Sequence, residues 1–299
     1  MAGAFSAVDL SGLPFPQAIE ALDYETILAE MLADLRQREP SFNALVESDP
    51  AYKVLEVCAY REMLVRQRVN EAVKAVTLAY AIGADLDQIA ARYDVERLLL
   101  DAGDPDAIPP VPPTYESDDN LRRRVQLSFE GFSTAGPEGA YIFHSLGAAA
   151  DVLDVAVNSP APGEVTVAIL SRVGDGTASP ELRAAVAATL NADGVRPLTD
   201  NVTIEAGGVI SYAVAADMYL MDGPDSDVVL AAAQDAMQTY ADRSQRLGRN
   251  VTLSGIYAAL HQTGVQRVVL TSPMADVVTQ WNEAAHCSSI TLTLAGRDE

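Results

Sequence analysis

ESDPAYKVLEVCAYREMLVRQRVNEAVKAVTLAYAIG, residues 47–83, decides how the chain is read. Asp49 can cap a helix, and Pro50 stands at the first helical position, where its missing N–H costs nothing. No further Pro or Gly interrupts the chain before Gly83, a natural C-terminal cap residue. The stretch predicts one helix of about 33 residues, about 50 Å long. Cys58, Val65, Ala72 and Ala79 recur at sevens, with Val69 and Val76 interleaved, and form a narrow apolar seam. Arg61, Arg66, Arg68 and Lys74 flank it beside Glu56, Glu62 and Glu71. Such a seam is that of a helix bundle or short coiled coil, with Ala allowing close approach.

Upstream, ALDYETILAEMLADLRQREP predicts a helix capped by Asp23, with an Ile27, Met31, Leu35 stripe and a stop at Pro40. Downstream, ADLDQIAARYDVERLL predicts a short helix with Asp85 and Gln88 in capping-box positions. Residues 101–116, DAGDPDAIPPVPPTYE, hold five prolines and predict an extended, semi-rigid linker. Ser117 then caps a helix whose first turn carries Asp118 and Asp119.

Beyond this point the period changes. GPEGAYIFHSLG predicts a helix, VLDVAVNS and EVTVAILS strands, SPELRAAVAATLN a helix capped by Ser179, and NVTIEA a strand. GVISYAVAADMYL, VQRVVLTS and SITLTLAG predict further strands around two helices, SDVVLAAAQDAMQTYADRSQRLG and LSGIYAALHQTG. GAYIFHSL…VLDVAVNSP and GIYAALHQTGVQRVVLTSP share one order: a Gly-x-Tyr helix, a turn, a Val-rich strand, then Ser-Pro. The reading is α+β: an N-terminal arm and long-helix bundle region (1–100), the Pro-rich linker (101–116), and two small α/β units (117–206 and 207–299) with mixed or antiparallel sheets.

Of 299 residues, 42 are acidic and 20 basic, a formal net charge of -22, with 49% hydrophobic residues and a mean hydropathy of +0.08. That is a folded chain whose field repels phosphate and anionic lipid, so neither nucleic acid nor membrane is expected as a partner. The N-terminus lacks the basic and apolar regions of a secretory signal, so folding in a cytoplasm is expected. Cys58 and Cys287 are read as free buried thiols.

Motifs for chemistry are sparse. His144, His261 and His286 form no metal-ligand spacing, and no nucleophile elbow is present. GDGT at 174–177 reads as a turn. Asp101, Asp104 and Asp106, like Asp222, Asp225 and Asp227, lack the full spacing of a calcium loop and suit caps and turns. Arg122, Arg123 and Arg124 read as a helix face that pairs with acidic neighbours or a partner subunit. No catalytic residue, cofactor or metal is expected. A cell-wall hydrolase would need only two carboxylates in a cleft, and a receptor-binding protein is the other alternative.

DPAYKVLEVCAYRE, GADLDQIAARYDVERL, RRRVQLSFEGFSTAGPEGAYIFH, GVRPLTDNV and RLGRNVTLSGIYAALHQTGVQRVVLTSP resemble the baseplate J family of contractile-tailed temperate phages and R-type tailocins. The resemblance covers essentially the whole chain, from the AFSAVDL arm to the final strand. It implies a virion or tailocin structural protein in the tail baseplate, a contractile injection system, assembled in the bacterial cytoplasm. It implies a three-chain wedge unit of two copies and one other wedge protein. Neighbouring wedges, a sheath-proximal baseplate protein and the tail hub complete the implied partners, and the six-fold ring would rearrange to trigger sheath contraction.

Overall fold

The computed structural model describes Leu10 and residues 13–132, 138–192, 194–197, 199–223 and 225–297. The AFSAVDL arm, apart from its last residue Leu10, and the expected start of the Gly-x-Tyr helix at Gly136 and Pro137 lie outside these. The chain divides into two units, one of Ala7–Arg97 with Ser117–Val125, the other containing Leu98–Glu116 and Gln126–Glu299.

The helical unit begins with α1 (Tyr24–Arg38), capped by Asp23, whose carboxylate accepts the Thr26 N–H at 2.8 Å. α1 packs on α2 (Pro50–Ala75) through Ile27, Leu28 and Leu32 against Ala59, with Tyr52, Leu55 and Met63 alongside. α2 is 26 residues, so the expected single helix of 33 residues does not form. The cause lies further along the chain. Arg122, in α4 (Asp118–Leu127), donates to the carbonyls of Leu78 and Ala81, both at 2.8 Å. Asp118 accepts the Gly83 N–H at 3.1 Å, and the Thr77 hydroxyl turns back onto the Val73 carbonyl at 2.7 Å. Groups that a continuous helix would pair internally are thus taken by side chains. Gly83, at φ +52°, opens α3 (Gly83–Ala91) instead of closing α2, and Asp85 falls in its first turn without a capping box.

Arg97 bridges Asp87 and Asp118, at 2.7 Å each, and ties α3 to α4. The arginine run is absorbed here as well: Arg122 pairs with Asp119 at 2.7 Å, and the buried Arg124 donates to the Glu96 carbonyl at 2.8 Å.

The Pro-rich segment is not an extended spacer. β1 (Leu99–Asp101) and β2 (Thr114–Tyr115) pair antiparallel, and Asp104 bridges to Val111. The buried Glu116 closes the base: its carboxylate takes the Leu98 N–H and its own N–H meets the Leu98 carbonyl, both at 3.0 Å. Gly103, at φ +66°, faces the Val111 and Pro112 backbone so closely that no Cβ fits. Proline lacks a donor, but a hairpin this short leaves most residues unpaired anyway.

Two modules complete the chain. The first holds α5 (Glu138–Ala148), β3 (Val152–Asn158), β4 (Glu164–Ser171), α6 (Pro180–Leu190) and β5 (Asn201–Ala206), with sheet order β3-β4-β5. The second holds β6 (Gly208–Leu220), α7 (Ser226–Ser244), α8 (Leu253–Leu260), β7 (Val265–Ser272) and β8 (Glu283–Arg297), in order β7-β6-β8. Each central strand has one antiparallel and one parallel neighbour. In each, the antiparallel neighbour comes directly after the Gly-x-Tyr helix. The modules therefore share parts in permuted chain order: α5-β3 matches α8-β7, β4-α6 matches β6-α7, and β5 matches β8. Each has its own core, around Val167, Ile169, Val186 and Leu190 in the first and Val214, Met218, Met237 and Ile256 in the second. The fold class is α+β, with mixed sheets and the long helix N-terminal.

Candidate assembly surface

α2 has two apolar faces. Viewed down its axis at about 100° per residue, Val54, Cys58, Val65 and Ala72 fall within about 40° of one line, with Val57 and Val69 about 60° to either side. Tyr52, Ala59, Met63 and Asn70 lie about 140–180° away, on the face that meets α1 or the preceding arm. The covered face is closed, with Ala59 at 0% exposure. The other is open to water: Val65 is 63% and Val69 54% exposed, and Cys58 and Ala72 are exposed too. Val76 and Ala79, expected on the same seam, lie beyond the end of α2 in the turn that Arg122 holds. The structure brings four of the six expected seam residues onto one face.

Ion pairs run along the helix. Lys53 meets Glu56 at 3.0 Å, Arg66 meets Glu62 at 2.5 Å, and Arg68 meets Glu71 at 3.5 Å. The Arg66 guanidinium is held above its ordinary range, first by the Glu62 hydrogen bond and then by that carboxylate's charge. By the same projection Arg61 and Arg68 fall within about 40° of the line through Val54 and Ala72, so the stripe carries two exposed cations among its apolar residues, which favours a partner helix in one register.

Sequence reading missed Asn70. Its side chain donates to the Glu20 carbonyl at 2.9 Å and accepts the Glu20 N–H at 3.0 Å, which fixes the arm on α2. Further along, the Tyr80 hydroxyl donates to the Leu13 carbonyl at 2.6 Å and its ring stacks on Phe15 at 4.8 Å. A lone Asn inside a helix, where it pairs poorly with its own backbone, was the available signal.

Several of the side chains singled out in the sequence are engaged in turns and caps. Asp101, Asp104 and Asp225 accept backbone N–H groups at 2.8, 3.0 and 3.0 Å, and Asp175 does the same for Thr177 at 2.9 Å in the GDGT turn. Burial holds His144 below the ordinary imidazole range. Burial, then the 2.7 Å bond to Asp200, pushes the Tyr141 phenol up. Cys58 and Cys287 are free thiols, but Cys58 is exposed, because it stands on the open face of α2.

The Baseplate J-like N-terminal domain matches residues 47–104, the central domain residues 133–206 and the C-terminal domain residues 212–293. "Baseplate protein J" of Escherichia phage P2 is 44% identical over 299 residues, spanning 98% of this chain and 99% of its own length. The chain belongs to the baseplate J family. The family's N-terminal domain begins just before α2 and ends within the Pro-rich hairpin, so the open face lies inside it. Among solved structures, the anti-feeding prophage (AFP) baseplate, determined by cryo-EM with 6-fold symmetry, aligns at a TM-score of 0.41 and 16% identity. That alignment covers 64% of this chain and 44% of the other. No described helix is long and apolar enough to cross a membrane.

Proposed function

We propose that the chain is a structural component of the baseplate wedge in a contractile phage tail or tailocin. Its α2 packs with α2 of a second copy and with a helix of another wedge protein, giving a three-chain unit. Neighbouring units close a six-fold ring around the tail hub, beneath the sheath-proximal baseplate protein. Movement of host-contact parts shifts the units against one another and releases the sheath. Such a switch needs interfaces that are individually modest and collectively bistable.

The observation that carries this reading is the open face of α2, an apolar stripe left wet opposite a stripe that α1 covers. Single exposed apolar residues need no explanation, but a row along one helix marks a contact surface. Family membership supplies the setting, since the P2 relative is named for a baseplate. Co-expression with the adjacent reading frames tests the reading. A copurified complex with two copies of this chain to one of another is expected. A chain that stays monomeric beside all of them would refute it.

A further inference from the structure

We infer that two copies of the chain join through the outer edge of β8, antiparallel and centred on Leu292, so that two three-stranded sheets continue as one of six. This rests on the assembly reading above and names the surface by which the α/β regions of neighbouring subunits meet.

The two module sheets have four outer strands, and three carry features that discourage pairing. β3 holds the buried carboxylate of Asp154. β5 has only six residues and includes Glu205. β7 presents Arg267, set over the Tyr219 ring at 3.9 Å, and runs directly into Pro273. Inward charge, shortness, edge cations and proline are the ordinary means of keeping a strand edge from recruiting another strand.

β8 has none of the chemical ones. It is 15 residues long, and from Ala284 to Gly296 there is no Asp, Glu, Lys, Arg or Pro. Thirteen such residues on an outer edge stand out in a chain of net charge -22. Two copies repel each other through that charge, and this strip is where the repulsion is locally weakest.

The register selects the partner. Ladder shifts between Tyr212 and Ala213 and between Met218 and Tyr219 bracket a regular stretch, Ser289–Leu294. Within it Ile290, Leu292 and Leu294 stand beside the buried Val214, Ala216 and Met218, on the helix-covered face. Ser289, Thr291 and Thr293 stand beside Ala213, Ala215 and Asp217, on the opposite face. A two-fold axis perpendicular to the sheet keeps each face on its own side. Centred on Leu292, it sets Leu292 opposite itself, Ile290 opposite Leu294 and Thr291 opposite Thr293. Apolar pairs then fill one face and Thr–Thr pairs the other, both favourable across strands. Leu294, 42% exposed in the single chain, gains a neighbour. A one-residue slip would set leucine against threonine on opposite faces. A parallel neighbour would repeat head to tail, with no two-fold to close the pair.

The test uses two differently tagged full-length copies, one with Thr291→Cys and the other with Thr293→Cys, each also Cys58→Ser, co-produced and incorporated into tail particles. After mild diamide oxidation, a mixed disulfide dimer is expected that forms only when both substitutions are present. Incorporation of both chains without the mixed dimer overturns the inference while leaving the assembly reading in place. Absence of both chains from particles removes the two together. A Thr291→Lys/Thr293→Lys variant checks the edge without relying on oxidation. It is expected to fold with an unchanged melting midpoint and lower particle yield at least tenfold. A normal yield from a folded variant overturns the proposal.

Discussion

Asp154 in β3 accepts the backbone N–H of Leu247 at 2.9 Å, across 93 positions of sequence. The carboxylate is buried, and it joins one α/β module to the loop that leaves α7 in the other. Gln245 donates to the Asp175 carbonyl and Asn282 to the Glu205 carboxylate, both at 3.1 Å, between the same two modules.

Asp154→Ala therefore leaves the half-buried Leu247 N–H without its charged acceptor. A loss of about 2 kcal/mol is expected in urea unfolding of the α/β unit. Asp154→Asn, which keeps an acceptor oxygen, should recover part of it.

Arg122→Met tests the break between α2 and α3. The carbonyls of Leu78 and Ala81 lose a charged donor, and about 2 kcal/mol of stability should go with it. Amide exchange near residues 77–83 should accelerate, and exchange in β4 should not.

Asp118 gives the helical unit a pH dependence. Burial, the largest single influence, pushes its carboxyl up, but the Arg97 hydrogen bond and the Gly83 N–H together pull it below the ordinary value. A depressed carboxyl contributes stability that is present above the unfolded-state value, near 4, and lost as pH falls through the folded one. The gap in thermal midpoint between the parent and Asp118→Asn should be full at pH 6 and shrink below about pH 4. A gap unchanged at pH 3 would count against the Arg97–Asp118 bridge.

Gly255 lies where a Cβ would run into the Tyr240 hydroxyl, which itself accepts the Thr252 N–H at 3.3 Å. Gly255→Ala should lower stability by about 1–3 kcal/mol through overpacking. Adding Tyr240→Leu should relieve the clash and restore some of the loss.

The elements written in local chemistry were legible. Asp23, Ser179 and Asp225 cap the helices they introduce, and alternating Val, Ile and Thr residues mark β3 to β7. What escaped depends on distant partners. α2 ends because Arg122 and Asp118, far along the chain, capture its continuation. The prolines between 105 and 113 read as a spacer because the Glu116–Leu98 clamp that closes their hairpin has no local pattern. β8 starts at Glu283, ahead of the expected SITLTLAG, because Glu-Ala-Ala-His-Cys-Ser has little strand character and pairs only by virtue of β6. On the candidate surface, the expected residues Cys58, Val65, Val69 and Ala72 share the exposed face of α2. The expected seam overreached at Val76 and Ala79, where the helix has already ended.

The most direct measurement compares Val69→Asp with Ala59→Asp on the two faces of α2. In the isolated chain, Val69→Asp should leave the thermal midpoint of the helical unit almost unchanged, within about 0.5 kcal/mol, as at other exposed positions. Ala59→Asp should unfold that unit, because it buries a charge without a partner. In tail particles, the stably folded Val69→Asp chain should be missing. Its incorporation at normal stoichiometry would contradict the assignment of the open face of α2 as the assembly seam.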